Sequence, residues 1–138
     1  MAVRTLIVDD QAVLRGNLRM RFSREGCEVA EAENAFQGWE VFLKFKPHLV
    51  TLDIIMPDVE EFTALELLRR IHKTSDETDV IVISSNVVNR EEFLKEGAIG
   101  FIAKPFKTFG GLMDKLRPLI EVLGSKMDTS GQKELQKA

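Results

Sequence analysis

Short apolar runs of strand length alternate along the chain with longer stretches whose apolar residues recur every three or four positions. The runs are Thr5 to Val8, Glu28 to Ala32, Leu49 to Leu52, Val80 to Ile83 and Gly100 to Ala103, most of them built from β-branched and other aliphatic residues. Between them the pattern predicts helices over residues 11–24, 35–45, 60–73, 89–96 and 109–122. Leu14, Leu18 and Phe22 form one stripe, Trp39, Phe42 and Phe45 a second, and Leu65, Leu68 and Ile71 a third. Boundary residues agree: Gly26 follows the first helix, Asn34 suits the cap of the second, Pro47 ends it, and Gly97 closes the fourth. Runs such as Ile81-Val82-Ile83, apolar on both faces, require a sheet covered by helices on both sides and hence parallel strands. The expected fold is α/β: a (βα)5 doubly wound, parallel five-stranded sheet in three layers, resembling the flavodoxin-like three-layer sandwich of order 2-1-3-4-5.

Composition narrows the picture without changing it. With 138 residues and one cysteine, the chain has a core large enough to fold without disulfides, and room for one domain, expected over 1–123. From Gly124 onward the sequence turns to Ser, Lys, Gln and Thr, so residues 124–138 read as a flexible tail. Nineteen basic against 22 acidic residues leave a net charge of −3, which argues against direct nucleic-acid binding. No stretch has the length or apolarity of a membrane span or signal segment, and the lone Cys27 suits a reducing compartment; the expectation is a cytoplasmic protein with no membrane contact.

The chemistry gathers at strand ends. In a sheet of this order the strand sequence reverses between the first and third strands, and ligands bind beyond the carboxyl ends there. The first strand runs into Asp9-Asp10 and the third into Asp53. Taken alone, either site reads as a loop or helix cap. Together they make a carboxylate cluster that needs a cation, and an all-oxygen set points to Mg2+. Ser84 after the fourth strand and Lys104 after the fifth add a hydroxyl and an ammonium. That combination suits phosphoryl transfer to Asp53 as nucleophile, with Asp9 and Asp10 on the metal and Ser84 and Lys104 on phosphoryl oxygens.

At these positions the chain resembles the receiver domain of bacterial response regulators in two-component signalling, of the stand-alone chemotaxis-regulator type. The matching pieces are Leu6 to Asp10, Leu52 to Pro57, Val82 to Ser85 and Gly97 to Phe106. The resemblance implies that Asp53 accepts phosphate from a sensor histidine kinase or phosphotransfer protein. It implies that Asp9, Asp10, Asp53 and the Ile55 backbone carbonyl hold Mg2+, that Ser84 and Phe101 act as switch residues, and that Lys104 senses the phosphoryl group. It further implies a cis Lys104–Pro105 bond and a downstream protein partner on the face of the fourth helix, fifth strand and fifth helix. The module would be a monomer or a phosphorylation-dependent dimer, and not an enzyme beyond assisting its own phosphoryl transfer and hydrolysis.

Two other classes stay open. One is a degenerate receiver-like interaction module that does not cycle phosphate. The other is an aspartate-nucleophile phosphatase, which would want a second aspartate where Ile55 stands.

Several positions depart from the family pattern. Glu61 replaces a usual glycine, and Asp58, Glu60 and Glu61 are expected to favour the N-terminus of the third helix. The segment between Ser84 and Gly97 is about two residues short of the family pattern, Gly110-Gly111 weakens the start of the fifth helix, and Pro118 interrupts its later turns. These features predict a mobile or divergent partner face. Ile55 and Asn86 flank the expected water entry, and because Ile55 cannot orient water, a long-lived phospho-Asp53 is expected. Arg15, Arg19, Arg21 and Arg24 read as the solvated face of the first helix, Trp39 as core, and His48 and His72 as without a role.

Overall fold

The computed structural model describes residues 2–137, with side chains described through residue 127. The elements alternate throughout: β1 (Arg4–Val8), α1 (Ala12–Arg24), β2 (Glu28–Ala32), α2 (Ala35–Phe45), β3 (Leu49–Leu52), α3 (Ala64–Thr74), β4 (Asp79–Ser84), α4 (Arg90–Lys95), β5 (Gly100–Ala103) and α5 (Phe109–Lys137). The strands form one parallel sheet of order β2-β1-β3-β4-β5.

Strand periodicity divides the core. Leu6, Val8, Val50, Leu52, Val80 and Val82 point to one side, where they meet Phe42, Leu67, Leu68, Ile71 and Phe93 from α2, α3 and α4. The alternate positions Ile7, Leu49, Ile81, Ile83 and Ile102 point to the other, against Leu18 and Phe22 of α1 and Leu112, Met113, Leu116 and Ile120 of α5. Each such side chain stabilises the fold by roughly 1.5–3 kcal/mol on burial. Gly38 lets α2 lie close on the sheet, because a Cβ there would come within 3.1 Å of Leu67 and 3.2 Å of Val8. Trp39 is half-buried, stacked on Phe42 and 5.6 Å from the Arg70 guanidinium, and packs against the core as expected. Cys27 is buried, which pushes its thiol up and leaves it unreactive.

Two helices depart from their sequence pattern. α3 begins at Ala64, four residues later than expected, because Val59 to Phe62 close a tight turn with Glu60 and Glu61 at φ 56° and 57°. Thr63 caps α3 by accepting from the Glu66 N–H at 3.1 Å. The acidic residues 58, 60 and 61 therefore precede the helix and are not its first turn. α5 runs on to Lys137 where an end near 122 was expected, and Pro118 lies on its exposed side. There the carbonyl freed by the missing N–H can turn to water. The Thr108 hydroxyl accepts from the Gly111 N–H at 2.9 Å, capping the turn that the glycine pair weakens. The expected flexibility of 124–138 falls mostly on side chains outside the described residues. No helix of the described residues is long and apolar enough to cross a membrane.

Candidate functional site

Register builds the site. Val8 of β1 pairs with Leu52 of β3, so the residues that follow them, Asp9 and Asp53, emerge side by side at the carboxyl end of the sheet. The Asp9 N–H donates to the Ala32 carbonyl at 3.0 Å and the Asp53 N–H to the Val8 carbonyl at 2.9 Å, fixing both main chains. Each aspartate then makes the same local bond: Asp9 Oδ1 accepts from the Gln11 N–H at 2.8 Å, and Asp53 Oδ1 from the Ile55 N–H at 3.0 Å. The Oδ2 atoms are left facing Lys104, whose Nζ lies 2.9 Å from Asp9 and 3.1 Å from Asp53. Gln11 Oε1 completes the lysine's contacts at 3.4 Å.

Asp9 and Asp53 are buried, whereas Asp10 is exposed. Burial raises the Asp9 carboxyl above its ordinary value, against the opposing pull of the Gln11 N–H and of Lys104. One ammonium thus pairs with two carboxylates of a group of three, Asp9, Asp10 and Asp53, each of which offers an oxygen within 4.8 Å of the others. The donors are all oxygen and one aspartate is open to water, a set that suits a small, hard, partly hydrated divalent cation. The three aspartates could hold a metal ion.

Ser84 ends β4 fully buried; its carbonyl accepts from the Lys104 N–H at 2.9 Å and its hydroxyl from the Asn86 N–H at 3.3 Å. The Lys104–Pro105 peptide is cis. Phe101 is half-buried on β5, packed against the core on the α2, α3 and α4 side. Ile55 is 49% exposed. Asp9, Asp10, Asp53 and Lys104 are therefore brought into one cluster, with Ser84 and Phe101 on the adjoining strands.

Two residues at the site were not singled out by the sequence. Gln11 is signalled only by its place after the acidic pair. Arg15 was assigned to a solvated face, but its Nη1 donates to the Asp9 carbonyl at 2.7 Å. Arg19 pairs with Glu31, and Arg21 lies 5.1 Å from the Phe109 ring, so that face is also tied to its neighbours. His48 and His72 lie away from the cluster; His48 Nδ1 accepts from the Arg4 N–H at the opposite end of the sheet.

The model of the response regulator receiver domain matches residues 5–117. The chain belongs to this family. It is 36% identical over 112 residues to the chemotaxis protein CheY of Bacillus subtilis, covering 78% of this chain and 89% of that protein. Among solved structures, the CheY-like receiver domain protein of Methanospirillum hungatei superposes with a TM-score of 0.80 at 26% identity, over 91% of this chain and 99% of that one. The response regulator TrrA of Thermotoga maritima, in complex with Mg2+ and BeF, gives a TM-score of 0.72 at 29% identity, over 85% and 98% of the two chains. The chain spans 32–51% of the length of several longer relatives.

Proposed function

We propose that the protein is a phosphoacceptor: Asp53 takes a phosphoryl group from the phosphohistidine of a sensor histidine kinase or phosphotransfer protein, in a Mg2+-dependent reaction. The carrying observation is the convergence of Asp9, Asp10, Asp53 and Lys104 on one point beyond the strand ends. A carboxylate oxygen of Asp53 attacks phosphorus, the P–N bond breaks as the P–O bond forms, and the imidazole leaves with the electron pair. Asp9, Asp10 and Asp53, with the Ile55 backbone carbonyl, would hold Mg2+, which when bound supplies neutralisation of the charge gathered there. The Mg2+ and BeF in the related TrrA are in keeping with that choice of ion. The chain itself acts only to assist its own phosphoryl transfer and hydrolysis.

Switching follows from charge. The phosphoryl group adds about −1.5 to −2 charge and three acceptors. Lys104 leaves Asp9 for a phosphoryl oxygen, and the Ser84 hydroxyl moves to another. Phe101, on the neighbouring strand, turns into the vacated space, and the face of α4, β5 and α5 changes for a downstream protein. The loops on either side of α4 present Val87, Val88 and Ile99 to solvent. The site works in the cytoplasm, where a lone buried cysteine stays reduced. With Ile55 at the rim offering no hydrogen bond to a hydrolytic water, phospho-Asp53 is long-lived, and Ile55→Asn shortens its lifetime.

Incubation with acetyl phosphate and Mg2+, read by intact mass, tests the assignment. A gain of one phosphoryl group that disappears in Asp53→Asn is expected. No gain, or one that survives the substitution, defeats the phosphoacceptor reading and favours a module that only binds partners.

A further inference from the structure

Arg15 breaks a local rule. It stands in the first turn of α1, where the helix dipole favours acid and where this helix carries none. Its side chain is only 17% exposed. The guanidinium reaches back so that Nη1 donates to the Asp9 main-chain carbonyl at 2.7 Å, while Nε lies 3.3 Å from Glu31 Oε1 on β2. The other Glu31 oxygen takes Arg19 Nη1 at 2.7 Å.

The bonded carbonyl belongs to the peptide unit that joins Asp9 to Asp10. Because that unit is planar, its orientation sets where the Asp10 side chain leaves the chain relative to Asp9. The Asp9 N–H is already held by Ala32 and its Oδ1 by the Gln11 N–H. Arg15 supplies the hold on the carbonyl. Glu31, one strand away and paired in register with Ile7, keeps the guanidinium aimed.

We propose that Arg15, oriented by Glu31, is a positioning residue for the metal. It fixes the peptide plane between Asp9 and Asp10, and so the spacing of their carboxylates. The inference rests on the metal-binding reading above. Its effect is on metal affinity through the shape of the loop, in the way that groups bonded behind metal ligands tune a site they do not touch.

The test is calorimetric titration of the full chain with Mg2+, alongside melting without metal. It compares wild type, Arg15→Lys, Arg15→Met, Glu31→Gln, Arg19→Met and Asp10→Asn. Lysine retains the charge but lacks the rigid fork that puts one nitrogen on the carbonyl and another on the carboxylate. Both Arg15 variants are expected to weaken Mg2+ binding by about tenfold or more, Glu31→Gln by less, and Arg19→Met hardly at all, with Arg15→Lys melting close to wild type. If wild type gives no saturable heat, the metal reading falls and takes this inference with it. If wild type binds and Asp10→Asn weakens it while Arg15→Lys and Glu31→Gln bind normally, the metal reading stands and Arg15 has no positioning role. An Arg19→Met loss as large as that of Arg15→Lys would assign the effect to the ion-pair chain as a whole and overturn the proposal. Should Arg15→Met fail to fold, Arg15→Lys and Glu31→Gln decide.

Discussion

At the amino end of the sheet, Arg4 donates through Nε to the carbonyls of Phe45 and Lys46, its main-chain N–H is accepted by His48 Nδ1, and Thr78 donates to the Pro47 carbonyl. At the carboxyl end, Asp9 and Asp53 share one lysine with Asp10 beside them. Donors at the first end find neutral acceptors that folding itself supplies. Charges at the second outnumber their partners, which leaves that end able to take a cation from outside. Selection for stability alone would not leave the two ends so unlike, because buried carboxylates short of partners oppose folding.

The largest break in this contrast is expected from Mg2+. At a concentration about a hundredfold above its dissociation constant it should stabilise wild type by about 2.7 kcal/mol, which for a domain of this size is roughly 9 °C in melting temperature. Asp9→Asn should lose that gain and, without metal, melt higher than wild type. The sign follows from the Asp9 carboxyl lying above its ordinary value: the ionised form present at neutral pH is the one folding opposes. Differential scanning calorimetry with and without Mg2+ checks both parts. An Asp9→Asn protein that gains as much from Mg2+ as wild type would end the idea that the carboxyl end awaits a cation.

The amino end should respond to protons instead. Burial, with the Arg4 charge nearby, lowers the His48 pKa below its ordinary 6.5, and Glu77 and Glu28 only partly oppose this. The unfolded chain therefore binds the proton more readily, so the His48 contribution is fully present above about pH 6.5 and is lost as pH falls through the folded-state value. His48→Ala should cost about 1–2 kcal/mol at pH 7.5 by leaving the Arg4 N–H without its acceptor. The gap between wild type and variant should narrow on going to about pH 5. Urea melts at the two pH values measure it, and a gap that widens in acid contradicts the assignment.

The division into two ends was largely legible from residues alone, since strand limits and the acids after them depend on a two-residue period and on which residue follows each run. Asp9, Asp53 and Lys104 meet because parallel register carries neighbouring strand ends to one level, and register follows from the apolar pattern. Arg15 was not legible, because helical periodicity tells only that a residue lies off the apolar stripe and cannot show that a long side chain folds back to a carbonyl six residues earlier. The run of α5 past Pro118 was hidden for a related reason: a helix can carry a proline where the freed carbonyl reaches water, and exposure is a property of the packed molecule. The late start of α3 carried a signal that went unread, Thr63 with Glu66 three residues on, the spacing of an N-terminal cap.

That late start also yields the smallest effect, and one that sharpens the contrast within the carboxyl end itself. Glu60 and Glu61 both take left-handed backbone, and the Phe62 N–H donates to the Val59 carbonyl at 3.0 Å, the form of a two-residue hairpin turn that glycine and asparagine suit. Each ordinary side chain held in that conformation costs about 1–2 kcal/mol. Glu61→Gly relieves one of them, and the added freedom of glycine in the unfolded chain returns part of the gain. A net stabilisation of about 0.5 kcal/mol is expected, roughly 2 °C. Both glutamates are exposed and stand outside the group of three aspartates that could hold a metal, so the stabilisation by Mg2+ should be unchanged. Thermal melts of Glu61→Gly with and without Mg2+ separate the two contributions. A rise of equal size in both conditions means that the strain at this turn is independent of the cation, whereas a variant that gains stability but loses its response to Mg2+ would make the strained turn part of the metal site.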